Sequence, residues 1–335
     1  MKHLLLLAAL IQTVAIQAES NGAAGPRAVV IRSGEIQLRG LFWRPRGRGP
    51  FPAILFNHGS GRSREELERL GPYERQAETL GPVFARHGYA FLYLFRRGVG
   101  LSADQGASSV DLMNAEFTAH GQDARNAIQL QLLENREIND SLAGLAFLRA
   151  LPEVDARRIA AVGESFGGSL TVLEAERDSA IRAAVVFSCA GYSWDKSPQL
   201  RARLLAAVDR AAPPIFFIHA ANDYSLGPGK ALDAELSRLR KSHRLKIYPP
   251  VGQSSEDGHA FLYLRVSTWE PDVFAFLDGH MRRRARRPPA SRVSGHPTRG
   301  ASRASGADYS LFGMDMQRVD AERIECGEPS PLCVV

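Results

Sequence analysis

From residue 28 to residue 284, short apolar runs alternate with amphipathic stretches. Residues 28–32 and 36–43 read as an opening pair of strands turning at Ser33-Gly34. Residues 52–57, 90–95, 158–163, 181–188, 214–219 and 244–248 read as six more strands, apolar enough for most to be buried on both faces. Helical periodicity fills the gaps at 73–86, 123–151, 199–210, 229–240 and 270–284, and a helix-compatible run opens at Gly168. Apolar strands separated by helices predict an α/β fold, with a mostly parallel eight-stranded sheet covered on both faces and ligands at the carboxyl ends of its strands. No internal repeat is evident.

The chain has 335 residues, 44% hydrophobic and 23% charged, which suits one large core and predicts a single catalytic domain over 26–284. Met1-Lys2-His3 followed by an uncharged stretch from Leu4 to Ala18 has the form of a secretory signal, predicting a signal peptide over 1–18 and a periplasmic or secreted protein. The rival is an uncleaved anchor, but Gln12, Thr13 and Gln17 interrupt a segment short for a span of about 20 apolar residues. No stable membrane insertion is expected after cleavage.

The formal charge of +6 suggests a nucleic-acid partner until its location is considered. Residues 281–335 hold ten arginines and six acids, contributing +4 and leaving +2 for everything before them. The Arg-rich segment 285–335 has the composition of a solvated, disordered tail, and no aromatic residues interleave the eight arginines between Met281 and Ser305, so no specific nucleic-acid partner is expected. Of three cysteines, Cys326 and Cys333 are spaced for a pairing that the sequence leaves open, and Cys189 falls in an apolar run as a small buried hydrophobe. No metal-ligand spacing of Cys or His is present, and no cofactor is expected.

The chemistry is carried by Gly163-Glu164-Ser165-Phe166-Gly167, where an apolar strand gives way to a helix. At such an elbow the serine backbone is strained and only small neighbours fit, so Ser165 is a candidate nucleophile; the alternative is a turn serine capping the helix. A serine hydroxyl needs a base and an acid that holds the base in its tautomer, and after a nucleophile elbow these follow in the order acid, then His. Asp223 follows the strand 214–219 and suits the acid, with a plain turn aspartate as its alternative and with Asn222 and Asp233 as weaker choices. His259, on a polar glycine-bearing loop after the last strand, suits the base. The loop His58-Gly59-Ser60-Gly61 follows the third strand, where the second oxyanion donor is expected, so the amides of Phe166 and Ser60 are the candidate oxyanion hole and His58 is structural. Residues 98–122 read either as a cap over the pocket or as an irregular surface loop, and Tyr192 with Trp194 as candidates for an aromatic substrate-binding wall.

The runs His58-Gly-Ser-Gly61, Arg97-Gly-Val-Gly-Leu-Ser102, Gly163-Glu-Ser-Phe-Gly-Gly168, Asp223 and Gly258-His-Ala-Phe261 resemble the dienelactone hydrolase branch of the α/β-hydrolases, over residues 26–280. The resemblance implies the α/β-hydrolase fold, with Ser165 as nucleophile, Asp223 as acid and His259 as base, acting on esters, lactones or activated acyl groups. Two departures exist: the namesake enzymes use a cysteine where Ser165 stands, and residues 99–122 are longer here, which argues against dienelactone itself. The expected function is an exported serine hydrolase cleaving carboxylic esters or related acyl substrates through a Ser-His-Asp triad and an acyl-enzyme. The alternatives are a peptidase of the prolyl-oligopeptidase-like kind and a catalytically silent binding protein on the same fold.

Overall fold

The computed structural model describes residues 25–60 and 70–281. The expected signal segment 1–18, the domain boundary at 284 and the expected tail 285–335, with Cys326 and Cys333, lie outside the described residues.

Eight strands form one sheet: β1 (Arg27–Ser33), β2 (Ile36–Trp43), β3 (Phe51–Asn57), β4 (Ala90–Phe95), β5 (Val154–Glu164), β6 (Ala184–Phe187), β7 (Ile215–Ala220) and β8 (His243–Tyr248). Their order is β1-β2-β4-β3-β5-β6-β7-β8. The β1–β2 and β2–β4 pairs are antiparallel and all others parallel. β1 buries only Val29, Ile31 and Ser33, the alternation of an edge strand, whereas β4, β6 and β7 are buried at every position.

Ten α-helices are described: α1 (Tyr73–Arg86), α2 (Ser109–His120), α3 (Gln122–Leu132), α4 (Ile138–Ala150), α5 (Phe166–Arg177), α6 (Pro198–Arg210), α7 (Gly227–Arg238), α8 (Ser255–His259), α9 (Phe261–Leu264) and α10 (Val266–Met281). The two-residue period of the strands divides their side chains between the two helical layers. Ile54 and Phe56 of β3 pack with Phe84 of α1 and Trp269 of α10, while Ala53 and Leu55 pack with Leu145 and Leu148 of α4. Further along the second face, Val186 and Phe217 meet Leu170 of α5, Leu204 of α6 and Leu232 of α7. Each such side chain contributes roughly 1.5–3 kcal/mol on leaving water, so the apolar runs account for the sheet's central position.

The structure departs from the sequence expectation in several places. The helix predicted over 123–151 is α3 and α4 separated by a π turn at Leu133–Glu137, whose last residue is a fully buried carboxylate held by Ser109 and Arg136. The strand predicted over 181–188 is confined to β6, because Ser188 at φ 49° turns out of the sheet. The last helix starts a turn before residue 270 and carries Pro271 inside it, anchored by the fully buried Trp269. Residues 98–122 are not an irregular loop: a 3₁₀ turn at Gly100–Ser102 leads into α2, whose N-terminus is capped by Ser108 accepting from the Asp111 amide at 3.1 Å.

Candidate active site

β5 ends at Glu164 and α5 begins at Phe166, leaving Ser165 alone at the junction with φ 56° and ψ −116°. A non-glycine residue is rare at positive φ, and this one is held because its neighbours admit nothing larger. A Cβ on Gly163 would stand 2.3 Å from the Gly167 carbonyl, and one on Gly167 would stand 2.0 Å from the Asn57 carbonyl. The Ser165 amide donates to Phe187 of β6 at 2.9 Å, which fixes the turn against the sheet.

Ser165 Oγ lies 2.8 Å from Nε2 of His259, and Nδ1 of His259 lies 2.7 Å from Oδ1 of Asp223. Three side chains separated by up to 94 positions therefore form one hydrogen-bonded line at the carboxyl ends of β5 and β7. His259 is not on an open loop as expected but ends the short helix α8, fixed by a capping box between Ser254 and Asp257. Asn222, a weaker choice for the acid, instead joins the two loops: its Nδ2 donates to the carbonyls of Val251 and Ser254 and its Oδ1 accepts from the Val251 amide. Asp233 lies on α7, 3.4 Å from His243, and takes no part. Burial would raise the pKa of Asp223, but the charge of His259 and hydrogen bonds from His219 and His259 outweigh it, holding the carboxyl well below the usual carboxylate range.

Beside the elbow, the loop after β3 is held by its carbonyls. Arg96 donates from Nη1 to the His58 carbonyl and from Nη2 to the Gly59 carbonyl at 3.0 Å. Tyr73 Oη donates to the Ser60 carbonyl at 2.9 Å. His58 is fully buried; its Nδ1 donates to the Gly59 carbonyl at 2.6 Å and its Nε2 accepts from the Arg96 amide at 3.2 Å. Burial and the adjacent Arg96 charge push its pKa well below the ordinary histidine value, so it remains a neutral structural group. Glu137 balances Arg96, 3.1 Å from Nε but not aligned as a hydrogen bond.

A cleft of about 310 Å³, including its open mouth, brings Ser60, Ser165 and Phe166 together with Met113 of α2 and with Arg125 and Gln129 of α3. The inserted helices thus wall Ser165. Tyr192 also lines the cleft; Lys196 Nζ stands 3.5 Å from its ring centroid and Tyr224 meets it edge-on. Trp194, expected beside it, does not line the cleft: it is 5% exposed and packs in the α5–α7 core against Gly227. Tyr224, its ring 4.8 Å from that of His259, stands in its place. Cys189 is fully buried, and burial pushes its thiol up to about 12.

Sequence reasoning missed Arg125, Gln129, Glu164 and His219. Arg125 and Gln129 carried a weak signal, being one turn apart on a helix. Among the described residues, no cluster of three or more His, Cys, Asp or Glu is arranged to hold a metal, and no helix is long and apolar enough to cross a membrane.

Comparison with known proteins bears on the family and the fold. The model of the dienelactone hydrolase family matches residues 74–267. The quorum-quenching protein AidA of Acinetobacter baumannii (strain MDR-ZJ06) is 25% identical over 170 residues, 51% of this chain and 45% of that protein. Among solved structures, the acylaminoacyl peptidase of Pyrococcus horikoshii is 19% identical with a TM-score of 0.54, covering 78% of this chain and 42% of its own. A dienelactone hydrolase from Anabaena variabilis ATCC 29413 is 19% identical with a TM-score of 0.51, covering 78% of this chain and 100% of its own. An esterase of Pyrococcus furiosus is 18% identical with a TM-score of 0.52, covering 77% and 91%. The sheet is that of the α/β-hydrolase fold, and the chain spans less than half the length of AidA and of the peptidase.

Proposed function

Because the chain belongs to the dienelactone hydrolase family, and so is a hydrolase, we propose that it is an exported serine hydrolase cleaving small carboxylic esters through an acyl-enzyme on Ser165. The observation that carries this reading is the hydrogen-bonded line Ser165 Oγ–His259–Asp223, at 2.8 and 2.7 Å. Ser165 Oγ attacks the acyl carbon while its proton passes to His259 Nε2, and Asp223 steadies the imidazolium that results. The carbonyl oxygen, now negative, is received by the amides of Ser60 and Phe166; Phe166 opens α5, where amide protons have no intrahelical acceptor. Collapse expels the alcohol, which leaves with the proton from His259. Water, deprotonated by the same nitrogen, then attacks the acyl-serine and frees the acid. Export is supported by the composition of residues 1–18, and N-terminal sequencing of protein recovered outside the cytoplasm tests it.

For the chemistry, purified protein is incubated with a fluorophosphonate probe and with p-nitrophenyl esters. Covalent labelling and ester turnover are expected in wild type and absent in Ser165→Ala. A folded wild type that neither labels nor turns over esters overturns the reading and favours a silent binding protein.

A further inference from the structure

We propose that His219 is a positioning residue for the triad acid, an inference that rests on the serine-hydrolase reading above. His219 lies in β7, four residues before Asp223, and its Nδ1 is 2.7 Å from Oδ2 of that carboxylate. The other oxygen, Oδ1, accepts from His259 Nδ1 at 2.7 Å and from the Tyr224 amide at 2.8 Å. The carboxylate is thus held from both sides, by one imidazole that meets the nucleophile and by one that does not.

Two features make the second contact specific. Both side chains are fully buried, so water has no route to replace the donor if it is removed. The proton of His219 sits on Nδ1, because an ionised Oδ2 only accepts and the far nitrogen, Nε2, has no hydrogen-bond partner. Nε2 is instead walled by helix α7: a Cβ placed on Gly229 would stand 2.6 Å from it. Gly229 therefore lets the ring lie where Nδ1 meets Asp223.

The consequence concerns rotation. The carboxylate torsion of aspartate is broad, and without His219 both remaining hydrogen bonds fall on Oδ1, which leaves Oδ2 unanchored. Anchoring Oδ2 on His219 keeps Oδ1 aimed at His259, which keeps the proton of His259 on Nδ1 and leaves Nε2 open to receive the serine proton. Loss of the outer contacts that orient metal-ligating histidines and carboxylates costs about 10–100-fold in metal affinity or activity, and a loss on the same order is expected here.

The test combines kinetics with a readout that needs no turnover. His219→Leu removes the donor and is expected to lower kcat for a p-nitrophenyl ester about 10–100-fold with KM little changed. His219→Asn, whose amide nitrogen falls where Nδ1 stood, is expected to restore most of that loss. Gly229→Ala, which touches neither substrate nor triad, is expected to lower kcat by pressing on the ring. In ¹⁵N-histidine-labelled Ser165→Ala protein, a downfield Nδ1–H resonance from His219 is expected, absent in the His219→Asn form.

A folded His219→Leu with wild-type kcat overturns the proposal, as does a spectrum placing the His219 proton on Nε2. If His219→Leu does not fold, the resonance together with His219→Asn and Gly229→Ala decides the matter. If wild type fails to label with fluorophosphonate, the hydrolase reading falls and the proposed role falls with it, while a His219 resonance still establishes the contact; normal labelling with no Nδ1–H resonance sinks the positioning role alone.

Discussion

Glu164 Oε1 lies 3.3 Å from His259 Nε2, the same nitrogen that faces the Ser165 hydroxyl. The residue that precedes Ser165 thus presents a nearly buried carboxyl group to the proposed base. Room for it comes from Gly59, where a Cβ would stand 2.3 Å from Glu164 Oε2. While His259 is neutral, this carboxylate faces a nitrogen lone pair. Once the serine proton has moved, it faces a cation. Opposite charges about 4 Å apart attract by about 4 kcal/mol at an effective dielectric of 20, and in the proposed reaction a fraction of that would favour the transition state. Glu164→Gln is expected to lower kcat about tenfold, roughly 1.4 kcal/mol, and to slow fluorophosphonate labelling in parallel. Unchanged rates for both rule out the electrostatic role.

A second prediction concerns Gly191. A Cβ there would stand 3.1 Å from Asp223 Oδ1 and 3.3 Å from His259 Nδ1, against the hydrogen bond that joins them. Gly191→Ala is expected to reduce kcat several-fold and leave the melting temperature nearly unchanged, since it presses on the site alone. A large loss of stability at full activity contradicts this assignment.

The line of Ser165, Asp223 and His259 was legible in the sequence because each follows a strand in an order that the fold imposes. The glycines at 163 and 167 mark the elbow without reference to anything distant. His219 was not legible as a partner, since β7 is apolar and buried throughout and nothing local says which way an imidazole in it points. Arg125 and Gln129 lie on an insertion whose path is set by contacts such as Ser109 to Glu137, outside the strand–helix alternation. Trp194 was misplaced because an aromatic residue after a strand reads alike as pocket wall or core, and the surface at Gly227 decides it.

Arg96 gives a third prediction. Its guanidinium holds two consecutive carbonyls of the loop after β3 and lies 5.1 Å from the Phe166 ring centroid, so it connects both proposed oxyanion donors. Arg96→Lys keeps the charge but not the planar fork. It is expected to lower kcat about 10–100-fold, less than the roughly 10²–10³-fold cost of removing an oxyanion donor outright, because the donors are displaced and not deleted, with a smaller change in KM. Wild-type kcat in the lysine variant excludes the role.

The cleft also bears on acyl size. Its small volume and the Met113, Arg125 and Gln129 wall favour short acyl groups over long alkyl chains. Across p-nitrophenyl acetate, butyrate and octanoate, kcat/KM is expected to fall with chain length. Met113→Ala is expected to shift the preference toward longer chains, at a stability cost of about 2–5 kcal/mol. A wild type that prefers octanoate counts against this reading of the cleft.

Beneath the loop, Glu174 predicts a pH dependence of stability. Asn57 Nδ2 donates to Glu174 Oε2 at 2.8 Å and to Thr171 Oγ1 at 3.0 Å, which uses both its protons. Ser141 Oγ meets two acceptors, Asn57 Oδ1 at 2.7 Å and Glu174 Oε1, with one proton to give. The ring closes if Glu174 is a neutral acid that donates to Ser141, while Ser141 donates to Asn57. In agreement, full burial raises the Glu174 pKa from 4.5 to about 7, against the opposing hydrogen bonds of Ser141 and Asn57. The folded state therefore keeps a proton that the unfolded chain has released between those values. Stability from this group is complete below about pH 4.5 and is lost as pH rises through about 7. The difference is about 3 kcal/mol. Melts of wild type from pH 5 to pH 8 are expected to show the decline, and Glu174→Gln, whose amide reproduces the neutral ring, to flatten it and gain stability at pH 8. An equal slope in both proteins shows that Glu174 is ionised throughout and that the ring is drawn with its proton in the wrong place.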